Sequence, residues 1–238
     1  MSDHKEIQSF YDTVYYKDAD SGVQVPEHLR RLARKIGVQP GAHVLDVACG
    51  TGAWLMTVSE CGGIPSGIDL SEKAVGICRK NMPGGEFHCG PAESLPFADN
   101  RFDIVTCLGS LEHFLDPVKA LREMVRVATR DAVLVILVPN SGFLTRRLGL
   151  YRGTYQTAAK EEVRSLHEWD RLFQSAGLEL TGRWKDLHVL SWSWIASRGW
   201  WQMPIRTLQG MALLFWPLEW QYQVYHSLRI RTDHPAQS

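Results

Sequence analysis

The sequence has no run of about eighteen apolar residues, so no stretch of it is long enough to span a bilayer as a helix. It carries no net charge, with 26 basic against 26 acidic side chains, and so lacks the cationic surface that nucleic-acid binding draws on. Its five cysteines (Cys49, Cys61, Cys78, Cys89 and Cys107) include no C-x-x-C pair, which argues against a zinc site and for the reduced thiols of a cytoplasmic protein. The opening Met-Ser-Asp-His-Lys-Glu has no apolar signal-peptide core. No paired acidic set calls for a metal, and no internal repeat or low-complexity stretch occurs. Charge is mildly uneven: residues 1–140 hold 14 Lys and Arg against 18 Asp and Glu, and residues 141–238 hold 12 against 8. That asymmetry is too weak to name a partner. At 238 residues the chain suits one α/β domain with an elaborated cap.

What is present begins at Val44-Leu45-Asp46-Val47-Ala48-Cys49-Gly50-Thr51-Gly52. An apolar strand runs into a glycine turn, and Ala53-Trp54-Leu55-Met56 continues as a helix. This arrangement sets backbone N–H groups and a helix N-terminus beside a ligand. The dinucleotide fingerprint needs a third glycine where Leu55 stands, and the phosphate loop of nucleotide hydrolases needs a Gly-Lys-Ser/Thr that is absent. Asp46 would repel an anion. A carboxylate at the strand tip suits a cation, such as an ammonium or a sulfonium.

The pattern acidic-x-Gly/Ala-x-Gly-x-Gly, carried by Asp46, Ala48, Gly50 and Gly52, resembles the first motif of the class I methyltransferases that use S-adenosylmethionine. Gly67-Ile68-Asp69-Leu70-Ser71 follows as a second strand ending in an acid, able to accept hydrogen bonds from both ribose hydroxyls. Ser71 suits the cap of the next helix. Gly90-Pro91-Ala92-Glu93-Ser94-Leu95-Pro96-Phe97 is similar to the Gly-Asp-Ala-Glu-x-Leu-Pro-Phe of methyltransferases related to those of ubiquinone and menaquinone biosynthesis. The aspartate that helps hold adenine there is Pro91 here, which has neither an acceptor side chain nor an N–H. Adenine recognition then falls to Ala92 and Glu93. Phe102 to Leu108 reads as a fourth strand, and Leu111-Glu112-His113-Phe114-Leu115-Asp116-Pro117 resembles the Leu-Glu-His-x-x-Asp-Pro of the same group. The resemblance implies a cofactor site built from Asp46, Ala48, Cys49, Gly50, Thr51, Gly52, Asp69, Leu70, Ala92, Glu93, Leu108, Gly109 and Tyr16. Cys49 and Cys107 are expected to be small packing residues.

The expected fold is a Rossmann-like α/β domain: a mostly parallel seven-stranded sheet, helices on both faces and an antiparallel last strand pair. Three regions are expected: an N-terminal helical lid (1–37), the cofactor-binding core (38–140), and a substrate-side insertion with the last strands and a Trp-rich cap (141–238). Ile7, Phe10, Tyr11, Val14 and Tyr15 are spaced for one face of a helix, which in similar enzymes lies over the cofactor. A second helix is read at 25–36, a buried strand at 132–138, a helix at 160–176, and strands at 178–184 and 186–192. Arg146, Arg147, Tyr151, Arg152, Tyr155 and Gln156 fall in the insertion. Seven of nine tryptophans lie between 184 and 220. They suit a packed cap first, a lipophilic substrate wall second and a peripheral membrane contact third. A homodimer is compatible with the apolar run at 210–218.

The chemistry expected is metal-independent methyl transfer from S-adenosylmethionine to a small-molecule acceptor, aromatic or lipophilic, at oxygen, nitrogen or carbon. His113 is the first candidate base, with a helix-start role equally open. His167, His188, Glu168 and Asp186 are weaker candidates. Another transfer on the same scaffold, such as aminopropyl transfer, or a non-catalytic accessory subunit are the alternatives.

Overall fold

Strands β1 (His43–Val47), β2 (Ile64–Asp69), β3 (Glu86–Cys89), β4 (Phe102–Leu108), β5 (Ala128–Pro139), β6 (Leu178–Lys185) and β7 (Gln223–Ile230) form one sheet in the order β3-β2-β1-β4-β5-β7-β6. The computed structural model describes residues 2–17, 19, 22–147, 149, 162–186 and 203–231. The first five strands are parallel, and β7 runs antiparallel between β5 and β6. Because β1 lies between β2 and β4, the direction of winding reverses at β1. The crevice outside the carboxyl ends of the strands at such a switch point is where open α/β sheets take ligands.

Side chains alternate along the strands, so each central strand feeds two cores. Leu45, Val105, Leu134 and Ile136 face one layer, packed on α5 (Pro117–Val127) and α7 (Leu166–Ser175) through Leu121, Met124, Trp169 and Phe173. Val44, Ile104, Val135 and Leu137 face the other, packed on α2 (Glu27–Ile36), α3 (Ala53–Glu60) and α4 (Glu72–Asn81) through Leu32, Trp54, Leu55 and Val75. The expected helices on both faces and antiparallel last pair are therefore present.

Several boundaries moved for local reasons. The helix expected over 160–176 starts at Leu166, because Ser165 and Glu168 close a capping box there. The strand expected at 132–138 begins at Ala128, with a register shift against β4 between Phe102 and Ile104. β6 pairs with β7, whereas the partner strand is expected at 186–192. Lys185 pairs with Val224, and Asp186 lies beyond the strand, its N–H directed at the Gln223 carbonyl. Residues 187–192 are outside the described residues. The alternation of Val224, His226, Leu228 and Ile230 marks β7, but His226 sits at an inward position and masks the apolar period.

The helix at the chain start is α1 (Ser2–Phe10), continued by a π turn over Tyr11–Tyr15. The apolar run at 210–218 belongs largely to α8 (Met203–Phe215), whose Phe215 is 85% exposed. Of the clustered tryptophans, Trp184 stacks on Tyr225 with ring centroids 5.3 Å apart and lies under the Lys35 ammonium. Trp192, Trp194, Trp200 and Trp201 lie outside the described residues, as do Tyr151, Arg152, Tyr155 and Gln156.

The end of β5, which leads into the single turn α6 (Leu144–Arg147), is fastened by Asn140, which is buried. Its amide donates to the carbonyls of Glu219 (2.8 Å) and Gln221 (3.2 Å) and accepts from the Gly142 N–H (3.0 Å). Replacing Asn140 with Ala leaves those backbone groups without it. The unfolding free energy from denaturant titration should fall by about 2–4 kcal/mol.

His226 is fully buried, and burial, reinforced by the Arg183 guanidinium, holds its imidazole down at about 4. Asp170 and the carbonyls of Val224 and Ile136 oppose this only partly. The folded state thus favours the neutral ring, whereas the unfolded chain protonates it near the ordinary value of about 6.5. Its contribution is present above pH about 6.5 and is lost as pH falls towards 4, by up to about 3 kcal/mol. Stability measured across that window should fall less steeply in His226→Gln.

Candidate active site

The β1–α3 turn reaches its shape through three left-handed residues: Ala48 (φ 61°), Gly50 (φ 53°) and Gly52 (φ 83°). Ala48 is a strained choice, since only glycine adopts this region freely. The two glycines serve different ends. A Cβ on Gly50 would stand 2.9 Å from the Tyr16 hydroxyl, on the open side of the turn. A Cβ on Gly52 would meet Cys78 Sγ and Met82 Cε, each at 2.8 Å, inside the packing against α4. The second glycine thus permits close helix packing, whereas the resemblance implies a place in the cofactor site for both.

Asp69, at the tip of β2, joins the parts. One carboxylate oxygen accepts from the Gly50 N–H at 2.8 Å and the other from the Ser71 N–H at 2.9 Å. Burial pushes this carboxyl above the ordinary value, against those two donors and with help from the negative charge of Asp12. Asp46 is more deeply placed. It accepts from the Thr106 hydroxyl at 2.6 Å, and burial raises it to about 7. Cys49 is pushed well up by its hydrogen bond with the Cys78 thiol and by burial, and Cys107 by burial, so both stay protonated packing groups.

The segment at 90–97 is held from behind. Arg126 donates to the carbonyls of Leu95 and Phe97, each at 2.9 Å, and its partner Glu123 accepts from the Leu95 N–H at 2.8 Å. Glu93 is buried, and one of its oxygens faces the Asp116 N–H at 3.2 Å. Sequence reasoning missed Arg126. Its signal is weak, since it reads only as a cation in the last turn of α5.

Together these elements surround a cleft with about 640 Å³ of space free of protein atoms, part of it open to solvent. Of the residues expected at the site, Tyr16, Ala48, Asp69, Leu70, Ala92, Glu93 and His113 line it. Gly50 lies beneath Tyr16. Asp46, Cys49, Thr51, Gly52, Leu108 and Gly109 are not among the residues that line the cleft. Gly109 spends its N–H on the Leu137 carbonyl. His167 is exposed in the first turn of α7, away from the lining residues, and Glu168 is taken up by its capping box. His188 lies outside the described residues. His4, Ile7, Ser110, Phe114 and Leu115 also line the cleft. Leu115 is 51% exposed at the mouth, a position sequence periodicity does not flag.

Known proteins supply the family. A model described as a methyltransferase domain matches residues 45–136, from β1 into β5. A demethylmenaquinone methyltransferase from Renibacterium salmoninarum is 31% identical over 213 residues, covering 86% of this chain and 88% of that protein. The chain belongs to the class I S-adenosylmethionine-dependent methyltransferases. A second demethylmenaquinone methyltransferase, from Staphylococcus aureus, is 36% identical over 114 residues, 45% of this methyltransferase and 47% of its own length. A solved S-adenosylmethionine-dependent methyltransferase from Aquifex aeolicus superposes with a TM-score of 0.59 at 18% identity, covering 96% of this chain and 97% of that one. At that identity it speaks for the fold. The cofactor is S-adenosylmethionine, and the substrate is a small molecule.

The residues present fit that cofactor. The carboxylate of Asp69, the bare backbone at Gly50 and the cleft between them form a cradle that a Cβ on Gly50 would begin to fill. The two glycines should therefore separate experimentally. Gly52→Ala, with two contacts at 2.8 Å inside the packing to give way, should lose about 2–4 kcal/mol of stability, against about 1–2 for Gly50→Ala, which shares the backbone strain but meets only the far end of the Tyr16 side chain, at 2.9 Å. Calorimetric affinity for S-adenosylmethionine should fall further in Gly50→Ala. Equal effects on both quantities would contradict the division of roles.

Proposed function

We propose that this methyltransferase transfers its methyl group to a lipophilic, quinone-like ring, with the cleft at the carboxyl ends of β1, β2 and β4 as the active site. The observation that carries the reading is the apolar and aromatic share of the cleft lining. Ile7, Tyr11, Phe114 and Leu115 line it, with His4 and His113 among its polar points. The similarity to demethylmenaquinone methyltransferase over most of both chains supports a quinone acceptor.

S-adenosylmethionine, when bound, supplies a methyl group already activated on a sulfonium. The residues then have binding, alignment and proton handling to do. In this reading Asp69 takes the ribose hydroxyls with the acceptor capacity left beside its two backbone N–H bonds. Gly90, Ala92 and Glu93 form the adenine side, and the turn from Ala48 to Gly50 receives the amino-acid end. The apolar lining presses the acceptor ring towards the reacting centre and excludes water; alignment of this kind is worth roughly 7–11 kcal/mol in oriented intramolecular reactions. His113 takes the proton that the acceptor loses as its new bond to the methyl carbon forms. The displacement uses no metal. The chain acts as one catalytic unit in the cytoplasm, with the N-terminal helical region (1–37) as its lid. Among the described residues, no helix is long and apolar enough to cross a membrane.

The test is incubation of the purified protein with S-adenosylmethionine and a short-tailed demethylated naphthoquinol kept reduced. One S-adenosylhomocysteine should form per methylated ring. Cofactor binding without any methylated ring would reject the acceptor class. Asp69→Ala should weaken cofactor binding at least about tenfold, through loss of charge-assisted hydrogen bonds. His113→Ala should lower kcat by about 100-fold while leaving cofactor Kd unchanged. Unaltered turnover in that variant would remove His113 as the base.

A further inference from the structure

The π turn at Tyr11–Tyr15 has a specific geometric effect. Its closing bond runs from the Tyr16 N–H to the Tyr11 carbonyl at 2.8 Å. In an α-helix, residues five apart point about 140° away from each other. The wider turn brings Tyr11 and Tyr16 to the same side, ring centroids 6.2 Å apart, and both line the cleft. Single π turns of this kind recur at functional sites.

Asp12, next to Tyr11, points away from them towards α4. Its Oδ1 accepts from the Ser71 hydroxyl at 2.5 Å and faces the Lys73 N–H at 3.4 Å. Ser71 is itself fully buried and caps α4 by accepting from the Ala74 N–H at 3.1 Å. At the far end of the turn, the Lys73 ammonium donates to the Lys17 carbonyl. Both ends of the π turn are thus fastened to the first turn of α4, directly after Asp69. Asp12 also repels Asp69. A second carboxylate beside a buried one is costly, and the helix N-terminus with its two donors is what offsets it.

We propose that Asp12 is a positioning residue whose carboxylate hooks the N-terminal segment onto Ser71 and so holds Tyr11 and Tyr16 over the glycine turn as the wall of the cofactor cleft. This rests on the cofactor-site reading above. Asp12 touches neither the cleft nor the reacting atoms. It acts through the two tyrosines, whose placement controls how readily the cofactor product leaves.

The full chain is compared with Asp12→Ala and Asp12→Asn. Without ligand, trypsin should cleave after the exposed Lys17 about tenfold faster in Asp12→Ala, in keeping with loss of hydrogen bonds to a charged group. S-adenosylhomocysteine should dissociate faster by a similar factor, and KM for the cofactor should rise more than kcat changes. Asp12→Asn keeps an oxygen that accepts from the same donors and should restore most of both rates. Unchanged cleavage and release in Asp12→Ala would overturn the proposal. So would a drop in melting temperature large enough to account for the faster cleavage, since that describes an ordinary structural contact. If the wild-type protein bound neither S-adenosylmethionine nor S-adenosylhomocysteine, yet Asp12→Ala still sped cleavage at Lys17, the hook would stand and the cofactor reading would fall.

Discussion

The pair of hydrogen bonds from the Gly50 and Ser71 N–H groups to the Asp69 carboxylate holds the edge of the cleft together. Asp69 ends β2, Gly50 belongs to the turn after β1, and Ser71 begins the approach to α4. One side chain therefore fixes how three elements meet at the switch point of the sheet. Both donors are backbone groups that a glycine turn and a helix start leave unpaired. The carboxylate answers a need the backbone has anyway, while staying oriented towards the cleft.

This arrangement places negative charge where burial disfavours it. Asp69 is pushed upwards by its surroundings, and Asp46 behind it is raised to about 7. Two buried carboxyls at the tips of adjacent strands are poor material for a stable core. They fit a site that receives a cation and ribose hydroxyls. The remaining supports are conventional by comparison. Arg126 and Glu123 brace the 90–97 segment from α5, Asn140 fastens the end of β5, and Trp169 sends its indole N–H to the Pro139 carbonyl at 2.8 Å. Each occupies a place where a strand leaves the sheet and its backbone would otherwise lose partners.

Much of the central region was legible because local chemistry and global role agree there. Val44, Leu45 and Val47 make β1 mostly apolar, the turn after them needs left-handed backbone, and the helix that follows has a buried face. The strand expected at Phe102–Leu108 coincides with β4 to the residue because its largely apolar run is bounded on both sides. The signals failed where burial overrides type. In β7, an inward His226 hides the alternation, and only its place between β5 and β6 makes the strand evident. At α7, the capping box outranked the longer helical pattern. Within the site, Leu115 and Ile7 come from different elements and carry no shared motif, so their joint position in one cleft could not be read in advance.

The sequence by itself determined the class of chemistry. An acid, small residues at the turn and a second acid after the next strand restrict the ligand, because charge and backbone access act over a few residues. Only the tertiary structure decided which of those groups face the cleft. It turned Gly52 inwards against Cys78, sank Asp46 behind Thr106, and left Asp69 and Ala48 at the surface of the site. It also brought Tyr11 and Tyr16 over a turn more than thirty residues away. Such long-range placement depends on how α1 and its π turn dock on α4, a matter of packing between distant segments that no local pattern encodes.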